Sequence, residues 1–377
     1  MVDKKRIYLS CPTMHGEEMQ YIQDAFDTNW VAPLGPNVTG FEEDIIKYTG
    51  IKHATALSAG TAAIHLAFQV LGIGRGDVVF CSSLTFSATA NPITYVGGIP
   101  VFIDSEEETW NMCPKALERA FEEYPEAKAV IVANLYGTPA KLDQIAAICK
   151  KHGVPMIEDA AESLGATYQG IPTGRFGDIG IFSFNGNKII TSSGGGMMVS
   201  DNEAYTKKAL FLATQSREPA KHYEHKEIGY NYRMSNVVAG IGRGQMKHLD
   251  EHVAKKREIY LYYKKAFEDI SEITMNPYMA DSEPNFWLSC LTLPKDCSVT
   301  PLMMADVLEK ENIETRPIWK PMHLQPIFKD NGFVQVKDGI SVAEDIFMRG
   351  ICLPSDIKNT EEDMQLITRL IRGLFGK

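Results

Sequence analysis

Between residues 54 and 200 the chain repeats one pattern, in which a short apolar run is followed by a polar or glycine-containing turn and then a segment of helical spacing. The apolar runs are 54–57, 78–81, 101–103, 129–133, 156–157, 180–184 and 196–199, and helical spacing falls at 61–71, 114–122 and 142–152. The runs are strand-length and apolar almost throughout, which is the signature of strands covered on both faces. Alternation of this kind predicts an α/β fold whose mostly parallel sheet carries helices on both sides. Ligands bind such sheets beyond the carboxyl ends of the strands.

After about residue 236 the pattern changes. A long charged helix is expected over 237–269, bearing Lys247, Asp250, Glu251, Lys255, Lys256, Arg257 and Glu258. A smaller α+β unit follows, with a strand near 287–293, a helix near 302–311, a short strand around 313–316 and a final helix after Thr360. The expected division is therefore a large domain over 1–245 and a small C-terminal domain over 246–377.

Composition narrows the function classes. A hydrophobic share of 44% and a charged share of 23% are those of an ordinary globular protein. The net charge of −10, with no basic run interleaved with aromatics, argues against nucleic acid as a partner. Met1 to Arg6 is basic, yet Ser10, Cys11 and Pro12 interrupt the apolar stretch that a signal peptide needs, and no window approaches the length of a membrane span. The seven cysteines are scattered without a Cys-x-x-Cys pair, which disfavours a disulfide framework or a zinc site, so a reducing cytoplasm is expected.

Candidate chemistry gathers at the ends of the predicted strands. Lys188 follows an apolar run and precedes the glycine string at 194–196, where a buried lysine becomes the amine that a Schiff base requires. Ser58-Ala59-Gly60-Thr61 opens an apolar helix with small residues and a hydroxyl, a setting for a phosphate, to which Ser183 adds a further donor. Asp159, followed by Ala160 and Ala161, is an acid with room above it for something flat, suited to a protonated ring nitrogen. Phe86 is available to stack on that ring. A phosphate nest, an aromatic lid, an acid for a ring nitrogen and an amine for an aldehyde match the four groups that pyridoxal 5'-phosphate (PLP) presents.

These segments, with 85–91, 157–165, Phe182-Ser183-Phe184, Gly229-Tyr230-Asn231-Tyr232-Arg233 and 316–323, resemble the DegT/DnrJ/EryC1/StrS sugar aminotransferases nearly end to end. The run 185–196, together with Tyr8-Leu9-Ser10 and 30–35, is similar to the branch that makes 4-amino-4,6-dideoxy-N-acetylglucosamine nucleotides for bacillosamine-type glycans or polysaccharide. The resemblance implies PLP fold type I, the aspartate aminotransferase-like fold. It implies Gly60, Thr61 and Ser183 on the phosphate, Phe86 stacked, Asp159 on the ring nitrogen, Lys188 bound to the aldehyde, and Glu162 at the cofactor. Asn231 is implied to reach the phosphate of a neighbouring subunit, which makes a homodimer with shared sites. Tyr8, Asn29, Trp30, Val31, Ala32, Ile318, Trp319, Lys320 and Pro321, with Arg316 and His323 nearby, correspond to positions that hold the nucleotide sugar. The implied substrates are a UDP-linked 4-keto-6-deoxy-N-acetylhexosamine, aminated at C4, and an amino-acid donor such as L-glutamate. Other nucleotide-linked keto-sugars, or a non-catalytic regulator, are the alternatives. Two departures stand out: Ala59 replaces a serine that many members carry, and Glu162 stands where many have glutamine or histidine.

Three weaker signals are set aside. Neither Gly72-Ile73-Gly74-Arg75-Gly76 nor Gly240-Ile241-Gly242-Arg243-Gly244 has dinucleotide-binding spacing. His248 and His252 stand four apart, but without a zinc-protease motif they are expected to be exposed helix histidines, and no metal is expected.

Overall fold

The computed structural model describes residues 5–377. In chain order come α1 (Glu17–Asp27), α2 (Pro36–Thr49), β1 (His53–Leu57), α3 (Gly60–Val70), β2 (Val78–Ser82), α4 (Ser87–Tyr95), β3 (Ile99–Ile103), α5 (Pro114–Glu123), β4 (Ala129–Ala133), α6 (Leu142–His152) and β5 (Met156–Asp159). Then follow β6 (Thr167–Tyr168), β7 (Ile171–Pro172), β8 (Ile179–Ser183), β9 (Gly196–Ser200), α7 (Glu203–Ala213), α8 (Asn236–Met246) and α9 (Leu249–Ala266). The remainder is β10 (Thr274–Met275), β11 (Ser282–Glu283), β12 (Ser289–Thr292), α10 (Pro301–Lys310), β13 (Arg316–Pro317), β14 (Gly332–Val334), α11 (Val342–Arg349), β15 (Gly350–Leu353) and α12 (Glu361–Leu374).

An eight-stranded sheet in the order β1-β9-β8-β5-β4-β2-β3-β14 forms the centre. Only β9 is antiparallel to its neighbours, so the other seven strands point one way. The apolar runs of the sequence are explained by packing on both faces. On β2, Val79 and Cys81 join one buried cluster with Leu66 and Phe68 of α3, while Val78 and Phe80 join another with Leu117 of α5 and Ile145 of α6. Each fully buried Leu, Phe or Ile contributes roughly 1.5–3 kcal/mol, so these two layers supply the sheet's main stabilisation.

The C-terminal segment builds its own four-stranded sheet, β10-β12-β15-β13, over a core from α9, α10 and α12 that includes Tyr263, Leu308 and Ile367. The last helix starts cleanly because Thr360 and Asp363 cap each other. The segment after residue 245 does not keep to itself, since β14 pairs with β3 at the edge of the large sheet and β11 pairs with β6.

The single helix expected over 237–269 is two helices. The chain breaks at Lys247 and His248. Within α8 the glycines sit against neighbours with no room for a side chain. A Cβ on Gly242 would lie 2.5 Å from the Phe41 ring, and one on Gly244 would lie 2.7 Å from the Glu18 backbone nitrogen. The glycines at 240–244 thus serve close helix packing. His248 caps α9 and is not within it, and His252 is buried, contrary to the exposed pair expected from spacing; its Nδ1 lies 2.8 Å from the Ile189 carbonyl oxygen.

Candidate active site

Strands β1, β2, β4, β5 and β8 end at one edge of the sheet, and the reversed β9 begins there. A cavity of ≈ 320 Å³ occupies this edge. Helix α3 points its N-terminus into it: Ala59 offers no side-chain cap, so the first N–H groups of the helix have no acceptor within it, and Thr61 stands among them. Ser183 comes in from the end of β8. Gly60 lets Ser183 approach closely, because a Cβ there would stand 3.0 Å from the Ser183 Cβ. The pairing of free helix-terminal amides with two hydroxyls is an anion cradle.

At the other side, β5 delivers Asp159, buried and held by the Thr89 hydroxyl at 2.7 Å and the Ala161 N–H at 3.2 Å. Thr89 reaches it because α4 starts directly after Phe86. Burial pushes the Asp159 carboxyl upward, against the Thr89 and Ala161 hydrogen bonds and the charge of Lys188. Phe86 stays half exposed at the mouth, its ring 5.3 Å from that of Trp319.

Lys188 lies in the loop between β8 and β9, and its side chain is only 11% exposed. The lysine is half-buried and paired, where an isolated buried amine was expected. Its Nζ is 3.3 Å from the Glu162 carboxylate and 4.1 Å over the Trp287 ring. Glu162 is itself buried, and that burial pushes its carboxyl up while Lys188 and the Tyr136 N–H, 2.7 Å away, oppose the shift. Tyr136 donates from a left-handed backbone (φ 54), a conformation rare for its residue type and maintained by the packing around it.

The donor set fits PLP. Asp159 is a buried acid aimed into the cavity, the α3 terminus with Thr61 and Ser183 would hold a phosphate, Phe86 would cover a ring, and Lys188 is the amine within reach. All of these predicted cofactor residues line one cavity, as does Glu162. Asn231 does not; it is exposed, bridged to Thr214.

The predicted sugar-binding residues divide. Arg316, Ile318, Trp319 and Lys320 line a second cavity of ≈ 520 Å³, which shares Phe86, Asn187, Trp287 and Trp319 with the first. His323 does not join them: one ring nitrogen is 2.6 Å from the Ser83 hydroxyl, the other 3.0 Å from Glu344, and the ring stacks on Phe333. Pro321 is buried beside it and lines neither cavity. Tyr8, Asn29, Trp30, Val31 and Ala32 also lie off both cavities of this chain, with Trp30 and Ala32 tied through their carbonyls to Asn236.

Sequence reasoning missed Trp287, whose ring faces Lys188 and whose Nε1–H donates to the Asn187 carbonyl at 2.6 Å. It sits in a run that reads as ordinary strand. Thr89 was overlooked too, although its place three residues after Phe86, one helical turn along, is a usable signal.

The fold is that of the PLP-type aminotransferases. The chain belongs to the DegT/DnrJ/EryC1/StrS aminotransferase family, whose profile matches residues 12–372, and its cofactor is pyridoxal 5'-phosphate. It is 53% identical over 98% of its length, and 96% of the relative's, to EpsN of Bacillus subtilis (strain 168), provisionally named a pyridoxal phosphate-dependent aminotransferase. It is 35% identical to the GDP-perosamine synthase of Caulobacter vibrioides over 99% of each chain. Among solved structures, a DegT DnrJ EryC1 StrS aminotransferase from Brucella abortus superposes with a TM-score of 0.89 at 27% identity, covering 96% of both chains.

Proposed function

We propose that this protein transfers an amino group to a nucleotide-linked keto-sugar. The observation that carries the reading is the pair of adjoining cavities: the first gathers Lys188, Asp159, Phe86 and the α3 terminus, and the second opens from it past Trp319 towards Arg316 and Lys320. Arg316, paired with Glu314 at 2.6 Å, and Lys320 stand beside aromatic walls, a setting that suits a diphosphate and a base.

When bound, PLP supplies an electron sink for negative charge developing at the carbon next to the transferred nitrogen. Lys188 Nζ would be the amine for the cofactor's aldehyde and the base that carries a proton between the two carbons. Glu162, 3.3 Å from Lys188 Nζ, would hold that side chain in position. Asp159 would face the ring nitrogen and favour its protonated form, and the α3 amides with Thr61 and Ser183 would anchor the phosphate.

The specific substrate we propose is a UDP-linked 4-keto-6-deoxy-N-acetylhexosamine aminated at C4 with L-glutamate as donor, for glycan or polysaccharide synthesis, supported by the sequence likeness over 185–196. A GDP-linked keto-sugar is the second reading, favoured by the 35% identical GDP-perosamine synthase. We further propose a homodimer in which Asn231 serves the neighbouring site. The exposed Phe26, Trp30, Val31 and Leu34 support a protein-covered surface on this chain. A cytoplasmic setting is proposed as well; no helix among the described residues is long and apolar enough to cross a membrane.

The test is a mass-spectrometric screen of UDP-, GDP- and dTDP-linked keto-sugars with glutamate. Aminated UDP-N-acetylhexosamine is the expected product, with none from Lys188→Ala. Exclusive amination of a GDP sugar would overturn the specific substrate, and no amination of any sugar nucleotide would overturn the reading.

A further inference from the structure

We propose that His15, His248 and Glu251 form a binding site for a divalent transition-metal cation of the zinc type, on the outer side of the α8–α9 junction. The three side chains come from different places: the loop before α1, the cap of α9, and the first turn of α9. One donor atom from each lies within 4.8 Å of the others. The His15 and His248 rings stack at 3.6 Å with a 5° interplanar angle.

Hydrogen bonding orients both imidazoles as ligands. His252 Nδ1 faces the Ile189 carbonyl at 2.8 Å, and a carbonyl only accepts, so that nitrogen carries the hydrogen. With its hydrogen on Nδ1, His252 turns its Nε2 lone pair towards His15 Nε2, 2.7 Å away. In the tautomer of His15 that donates there, Nδ1 is the nitrogen left to ligate. In His248 both ring nitrogens face carboxylates. Its Nε2 lies 3.3 Å from Glu17 and its Nδ1 lies 3.4 Å from Glu251. A cation that replaces the Nδ1 proton gains Glu251 as a ligand while Nε2–H keeps donating to Glu17. In each histidine the far nitrogen is therefore anchored by a partner, the arrangement that fixes metal-binding imidazoles.

Two imidazoles and a carboxylate select zinc, cobalt or nickel over calcium and magnesium, which want oxygen alone. Glu17 and Glu251 together balance the charge of a divalent ion. Ligands in a zinc site stand about 3.4 Å apart, so the side chains must draw in and the stacked rings must tilt. They have room, since the Glu251 side chain is 60% exposed and that of His248 is 21% exposed.

Co²⁺ titration of tag-free holoenzyme, read by its visible d–d bands and checked by Zn²⁺ displacement, tests the site. One Co²⁺ per chain is expected, lost in His15→Ala/His248→Ala. Glu251→Gln, a surface change that spares the fold, is expected to weaken it about tenfold or more. Absence of Co²⁺ and Zn²⁺ uptake by the wild type, or unchanged affinity in Glu251→Gln and the double variant with the cofactor band intact, would overturn the assignment.

Discussion

Glu158 and Asp159 are consecutive on β5, both buried carboxylates, and the strand turns them to opposite faces. Glu158 is surrounded by donors: Asn134 Nδ2 at 2.9 Å, the Gly174 N–H at 2.7 Å and the Phe176 N–H at 2.9 Å. Asp159 has the Thr89 hydroxyl and the Ala161 N–H, and otherwise faces the cavity. In both, burial pushes the carboxyl up and hydrogen bonds pull it back. Burial and titration alone do not separate them. What separates them is where the acceptor capacity goes: Glu158 spends it on the protein and ties the β5 end to the 174–176 turn, while Asp159 keeps some for a ligand.

The comparison is sharpened most by Asp159→Asn. It removes the proposed charge partner of the ring nitrogen, so turnover is expected to fall roughly a hundredfold or more while thermal stability changes little; wild-type turnover would break the contrast. Next in size is Glu158→Gln, which leaves backbone donors facing an amide. A loss of about 1–3 kcal/mol in denaturant unfolding is expected, with steady-state kinetics of the folded fraction unchanged.

The pH dependence of the apoprotein gives a smaller signal. Folded carboxyls with raised pKa bind more protons than the unfolded chain between the usual value of about 4 and their own, so stability falls as pH rises through that window. Glu158→Gln and Asp159→Asn should each flatten this slope in unfolding titrations, and a slope untouched by both would put the shift elsewhere. The smallest effect is expected from Phe86→Ala at the mouth. A loss of about 0.5–1.5 kcal/mol in PLP affinity, measured by absorbance titration, is the expected contribution of one stacked ring.

Much of this arrangement was legible in the residues. The strands were readable because helices cover both faces, leaving no polar alternation to confuse them. Lys188, Asp159, Thr61 and Ser183 could be picked out as candidates because each lies at or just after a strand end, where α/β sheets collect ligands. The contribution of Trp287 was hidden by its setting among Phe286 and Leu288. The β3–β14 pairing was hidden for another reason: Gly332–Val334 is only 3 residues long and lies far along the chain from its partner. His323 misled because a histidine near a substrate segment reads alike whether it faces ligand or, as here, Ser83 and Glu344.

The indole of Trp287 acts as a coupling pin between two jobs. It walls both cavities, and it grips the backbone at Asn187, one residue before Lys188. Any displacement of that wall to widen the second cavity tugs on the tether of Lys188, so the shape of one cavity cannot be retuned at this point without also shifting the lysine in the other.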